Sequence, residues 1–261
     1  MPTSRILIAV FLALVVTTGV GAASAAIPPD ADHAKEVLTK SPRHGEWVDV
    51  ALPDGTKLVT WVVFPEKKKK SGVVIVIHEI FGLSDWVRGV ADQLANDGFI
   101  AVAPDLLSGM GPNGGGTESL GEDVTKVIRT LTPEAVAARL DAVRAYALGL
   151  PAVNGKVGSV GFCWGGSASF NYAAAQPALD AAVVFYGTSP TEPATYATIK
   201  APVLGHYGSD DARVNATIPT AEDAMKKLGK RYTAKIYDGA GHGFLRQQAG
   251  RVLPQATVSG S

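Results

Sequence analysis

The sequence predicts an α/β fold, a mostly parallel sheet with helices on both faces. Two observations lead there. Short apolar runs of buried-strand length recur along the chain, and segments of helical periodicity alternate with them. The 261 residues also carry 46% apolar residues and equal numbers of basic and acidic residues, 24 each, enough chain and enough apolar content for a full core. That balance excludes a disordered chain. It gives no basic excess with which to neutralise phosphates, so no nucleic-acid partner is expected. The single cysteine, Cys163, excludes a disulfide scaffold.

Residues 1–25 read as a signal peptide. Arg5 supplies a positive start, residues 6–16 form an apolar stretch, and Ala23-Ser24-Ala25 is a small-x-small cleavage site. The stretch is short for a membrane span; an uncleaved N-terminal anchor is the alternative. The lone arginine gives no twin-arginine signal, and no cysteine near the cleavage site marks a lipoprotein. The expectation is a periplasmic or secreted protein with no membrane span once the leader is removed. Residues 26–261 contain no linker or internal repeat and read as a single domain.

The elements follow in order. Residues 47–52 and 57–64 flank Pro53-Asp54-Gly55, a hairpin signal between runs rich in Val and Trp. Lys67 to Lys70 read as a solvated turn rather than an anion-binding patch. Residues 73–77 are a buried strand. Ser84 or Asp85 can cap a helix in which Val87, Val90, Ala91, Leu94 and Ala95 share one face, and Asn96-Asp97-Gly98 ends it. Residues 99–103 are a strand stopped by Pro104. Residues 108–121 hold six glycines and read as a mobile surface loop. Thr132-Pro133-Glu134 opens a helix with Val136, Leu140, Val143 and Ala147 as its buried stripe. Strands are expected at 157–161, 181–186, 202–207 and 233–237, with helices at 165–176 and 220–228.

Sheets of this kind hold ligands at the carboxyl ends of their strands. Gly161-Phe162-Cys163-Trp164-Gly165 is a nucleophile-elbow pattern with Cys in place of Ser. The elbow closes only if the residues two before and two after the nucleophile are small, and the following helix points its amino end at the thiol. Cys163, Asp211 and His242 follow one another in the nucleophile–acid–His order of α/β-hydrolases. His242 would take the thiol proton and Asp211 would hold its ring in one tautomer. His33 and His44 precede the sheet; His78 and His206 sit at strand ends without the glycine-flanked loop that exposes His242. The plainer readings are a buried filler thiol and an idle loop histidine. No Cys/His cluster has metal-ligand spacing, so no metal is expected.

These residues belong to a wider pattern. Residues 78–82 read His-Glu-Ile-Phe-Gly; Pro104-Asp105-Leu106, residues 158–166, Gly208-x-x-Asp211-x-x-Val214 and Gly241-His242-x-Phe244 follow. From about residue 46 to 246 the chain resembles the dienelactone hydrolase family, a Cys-nucleophile branch of the α/β-hydrolases. The resemblance implies a Cys163–His242–Asp211 triad. It implies that the Glu79 carboxylate contacts the resting thiol and helps make it a thiolate when substrate binds; a carboxylate held by a local salt bridge is the alternative. It implies an oxyanion hole from the backbone N–H groups of Ile80 and Trp164, substrate contacts from Phe81 and Arg246, and no cofactor. The family grips an anionic dienelactone with two arginines. Arg246 matches one; residues 107–111 supply no second. The long C-terminal amphipathic helix usual in the family is not evident in residues 252–257.

The expected function is hydrolysis of small esters or lactones through a thioester. The alternatives are a carboxylesterase or thioesterase acting on larger apolar esters, and a non-catalytic binding protein that kept the elbow.

Overall fold

A computed structural model describes residues 27–248. The leader assigned to residues 1–25 and the C-terminal stretch 252–257 lie outside the described residues. The strands are β1 Gly45–Ala51, β2 Lys57–Val63, β3 Ser71–Ile77, β4 Ile100–Pro104, β5 Val153–Phe162, β6 Ala181–Phe185, β7 Val203–Gly208 and β8 Tyr232–Tyr237. They form one sheet in the order β1-β2-β4-β3-β5-β6-β7-β8. The β1–β2 hairpin and the β2–β4 pair are antiparallel; every other pair is parallel. The helices are α1 Ala34–Lys40, α2 Asp85–Asn96, α3 Thr117–Leu120, α4 Val124–Val127, α5 Pro133–Leu148, α6 Trp164–Ala175, α7 Thr195–Thr198, α8 Ala212–Asn215 and α9 Ile218–Lys227.

Both faces of the sheet are covered, and the two-residue period of the strands divides the core. On β3, Val73, Ile75 and Ile77 face one cluster together with α5, α6 and α9. Val74 and Val76 face the other, with α1 and α2. This is why the central strands read as continuous apolar runs. The four residues expected to form the buried stripe of α5 are its buried residues. The five expected on α2 are all buried, and Ser84 caps that helix by accepting from the Val87 N–H.

Two features differ from expectation. Helix α1 and the one-turn helices α4, α7 and α8 were not anticipated. Segment 108–121 is not a loose loop. The buried Asp105 carboxylate accepts from the Leu107 N–H at 3.0 Å, the Thr117 N–H at 2.7 Å and the Thr117 hydroxyl at 2.7 Å. Thr117 Oγ1 in turn accepts from the Leu83 N–H at 3.0 Å. Two nearby glycines permit this close approach: a Cβ on Gly116 would lie 2.2 Å from Asp105 Oδ2, and one on Gly82 would lie 2.2 Å from Thr117 Oγ1. Leu107, Val124 and Ile128 then form a third small core against Ile80, Met110, Leu120 and Trp164.

Candidate active site

Cys163 stands between β5 and α6 with φ +56°, a backbone region that costs a non-glycine residue about 1–3 kcal/mol and persists only when its surroundings enforce it. Here they do. A Cβ on Gly161 would fall 1.9 Å from Gly165 O; on Gly165, 2.3 Å from His78 O; on Gly166, 2.6 Å from Phe185 O. The Cys163 N–H is tied to Phe185 O at 3.0 Å. The turn therefore presents Sγ at the amino end of the twelve-residue α6.

His242 reaches that thiol from the loop after β8. Its Nε2 lies 3.1 Å from Cys163 Sγ, and its Nδ1 lies 2.6 Å from Asp211 Oδ2. Asp211 is 7% exposed in its side chain and His242 36%. The loops bearing them are tied together: the Asp210 N–H donates to Ala240 O at 3.0 Å, and the Gly239 N–H to Ser209 Oγ at 2.9 Å. The hydrogen bond with Cys163 raises the His242 pKa to about 9, with Asp211 adding to the effect and partial burial opposing it.

Glu79, at the end of β3, is buried. Its carboxylate pairs with Arg246 Nε at 3.3 Å, so the geometry here is the salt-bridged alternative rather than contact with the thiol. Burial pushes its pKa up to about 7 against the pull of Arg246, the Tyr186 hydroxyl and His242. The Arg246 guanidinium also lies 4.7 Å from the centre of the Phe81 ring, and Phe81 is 44% exposed. Glu79, Phe81 and Arg246 thus meet at one rim. Among the described residues, the N–H groups of Ile80 and Trp164 have no acceptor. No cluster of three or more His, Cys, Asp or Glu among those residues could hold a metal ion.

Tyr186 escaped the sequence reading. It is fully buried, has φ +40°, and packs edge-on against His242 with centroids 5.2 Å apart. Its hydroxyl lies near Glu79 and Cys163, yet meets no hydrogen-bond geometry. Burial and those neighbours raise its pKa far above the phenol range. The signal available in the sequence was its place, the last residue of an apolar run ahead of Gly187.

The dienelactone hydrolase family model covers residues 58–258. This chain belongs to the dienelactone hydrolase family. The carboxymethylenebutenolidase of Pseudomonas putida is 30% identical over 222 residues, covering 82% of this chain and 91% of that protein. The dienelactone hydrolase structure from Anabaena variabilis is 27% identical, with a TM-score of 0.64 over 80% of this chain and 91% of that one. A dienelactone hydrolase-like promiscuous phosphotriesterase from metagenomic libraries is 25% identical, with a TM-score of 0.66 over 77% and 84%. The fold is the α/β-hydrolase fold, and the protein is a hydrolase acting on ester bonds, as members of this family are.

Proposed function

We propose that the protein hydrolyses small esters or lactones through a thioester on Cys163. The observation that carries this reading is the hydrogen-bonded line Asp211–His242–Cys163 at a strained elbow. The Sγ proton passes to His242 Nε2 and the thiolate attacks the carbonyl carbon, forming the C–S bond. The oxyanion is received by the N–H groups of Ile80 and Trp164. His242 returns the proton to the leaving alkoxide as the C–O bond breaks; in a lactone that hydroxyl stays on the acyl group. Water then attacks the thioester, its proton goes to His242, and Cys163 leaves as the thiol. Asp211 holds the ring tautomer throughout. Arg246 and Phe81 form the rim that receives an anionic or polarised part of the substrate. Glu79 exchanges its carboxylate between Arg246 and the thiol as substrate enters. The leader at residues 1–25 supports a periplasmic or secreted site of action; N-terminal sequencing of the exported protein tests it, with Ala26 expected as the first residue and an intact Met1 counting against it.

The deciding experiment is p-nitrophenyl acetate hydrolysis by wild type and Cys163→Ala, with mass spectrometry of the acetylated protein. Turnover should vanish in the variant, and an acetyl group should map to Cys163. Equal rates in the two proteins would overturn the reading and leave the non-catalytic alternative.

One observation favours the larger apolar esters as a second reading. Where the family's second arginine is absent, Met110 and Leu120 pack on the same Leu107–Val124–Ile128 cluster as Ile80 and Trp164. A series from acetate to octanoate esters separates the two: kcat/KM rising with chain length selects the apolar substrates.

A further inference from the structure

His78 is a buried titratable group that the reaction above does not use. It is fully buried at the end of β3. Its Nε2 accepts the Leu106 N–H at 3.1 Å. An amide can only donate, so this nitrogen carries no proton, and the ring's proton sits on Nδ1. Nδ1 then donates to the Glu79 carbonyl at 2.8 Å. That carbonyl belongs to the same peptide unit as the Ile80 N–H, and in a trans peptide the two point in opposite directions. Fixing the carbonyl toward His78 fixes the N–H on the other side. The same ring stacks on Trp164, centroids 5.7 Å apart and 15° from parallel. Its own backbone carbonyl is the atom a Cβ on Gly165 would strike at 2.3 Å. One side chain thus touches the elements carrying both proposed oxyanion donors.

We infer that His78 is a positioning residue, a neutral lock that prevents the Glu79–Ile80 peptide from flipping and so keeps the oxyanion hole formed. The inference rests on the role proposed above for the Ile80 N–H. The Gly82 N–H also donates to the Glu79 carbonyl, at 3.1 Å, but from within its own turn, which can rotate with the peptide. The His78 bond is anchored across the sheet through Leu106. Burial lowers the pKa of the ring, which agrees with a neutral, fixed tautomer.

Two substitutions divide the ring's functions. His78→Asn keeps a donor near the Nδ1 position and loses the Leu106 acceptor. His78→Gln keeps an acceptor near Nε2 and loses the donor to Glu79. Losing one oxyanion donor outright costs about 10²–10³ in kcat; a peptide freed to flip should lose roughly 10- to 100-fold in His78→Gln. His78→Asn, which keeps the donor to Glu79 and loses its anchor at Leu106, should lose activity too, but several-fold less than His78→Gln. Alkylation of Cys163 by iodoacetamide passes through no oxyanion, so its rate should be the same in all three proteins. Equal losses in the two variants, no loss in either, or alkylation falling in step with turnover would overturn the inference. Nitrogen NMR of the wild type tests it without any variant. The ring identified by coupling to the Leu106 amide should be protonated on Nδ1 alone at neutral pH; an Nε2-protonated or charged ring would overturn the lock. A wild type that leaves esters uncut counts against the hydrolase reading instead, and the tautomer still decides whether the peptide is held.

Discussion

The end of β3 and the loop after β8 each carry a histidine into the same site, and the two are held in opposite ways. His78 is bound by backbone, the Glu79 carbonyl on one side and the Leu106 amide on the other, with no water access. His242 is bound by ionisable side chains, Asp211 and Cys163, and is more than a third exposed. Burial drives the first ring toward neutrality, while the hydrogen bonds to thiol and carboxylate raise the second to about 9. Fixed backbone partners suit a group that must not change, and charged partners suit one that must carry a proton. In the proposed reaction the first region would supply preorganised dipoles and the second the moving proton.

The largest effect is expected from breaking the second region at its base. Asp211→Asn leaves the shape and removes the charge that orients His242. By analogy with serine triads, kcat for p-nitrophenyl acetate should fall about 10²- to 10⁴-fold with the fold intact by circular dichroism. A fall of less than about tenfold would mean that the Cys163–His242 pair suffices, and that the contrast between the two histidines does not depend on Asp211.

Glu79 stands between the regions, and its response to pH is next in size. Its pKa is raised in the folded state, from 4.5 to about 7. A carboxyl whose pKa is raised on folding favours the folded state most below the unfolded value and loses that contribution as pH rises through the folded one. Wild type should therefore lose stability between about pH 4.5 and 7 relative to Glu79→Gln, with the variant ahead by roughly 1–3 kcal/mol at pH 8. Denaturant titrations of both proteins at pH 4, 6 and 8 measure this. A difference that does not change with pH would show that Arg246 offsets the burial completely.

Much of the scaffold was legible because it is periodic. The stripes of α2 and α5 and the two-sided strands repeat within a window the sequence displays, and the elbow glycines are local to Cys163. What was not legible depends on contacts across the chain. Thr117 anchors segment 108–121 only because Asp105 is folded beneath it, so glycines that read as mobility are there for close approach. The pairing of Glu79 with Arg246, and the placing of Tyr186 over His242, join strand ends that no local pattern connects. His78 was visible as a strand-end histidine, but its use depends on Leu106, a neighbour only after β3 and β4 pair.

A smaller effect separates the two rings directly. Cys163→Ala removes the largest influence raising the His242 pKa. Its NMR titration should move down by about one pH unit or more, toward the ordinary histidine value. His78 in the same spectra should keep the same neutral-ring signals as in wild type, since its burial is untouched. Parallel movement of the two signals would mean that one electrostatic environment governs both, and the contrast would fail.

The smallest expected effect lies at the edge of the second region. The loop that carries His242 continues to Arg246, and the segment before α1 holds it from outside. The Ala31 N–H donates to Arg246 O at 3.1 Å, and Gln248 Nε2 donates to Pro28 O at 3.0 Å. These ties reach the rim, where Arg246 meets Glu79 and Phe81, and not the Asp211–His242–Cys163 line. Gln248→Ala removes the amide that donates both to Pro28 O and to Leu245 O; each such bond is worth about 1 kcal/mol net. The loss should appear as a KM for an anionic ester raised about two- to fivefold, with kcat within about twofold of wild type. A change in kcat at constant KM would show that the strap supports the reacting groups themselves, and the proton-carrying loop would then depend on distant backbone as much as the end of β3 does.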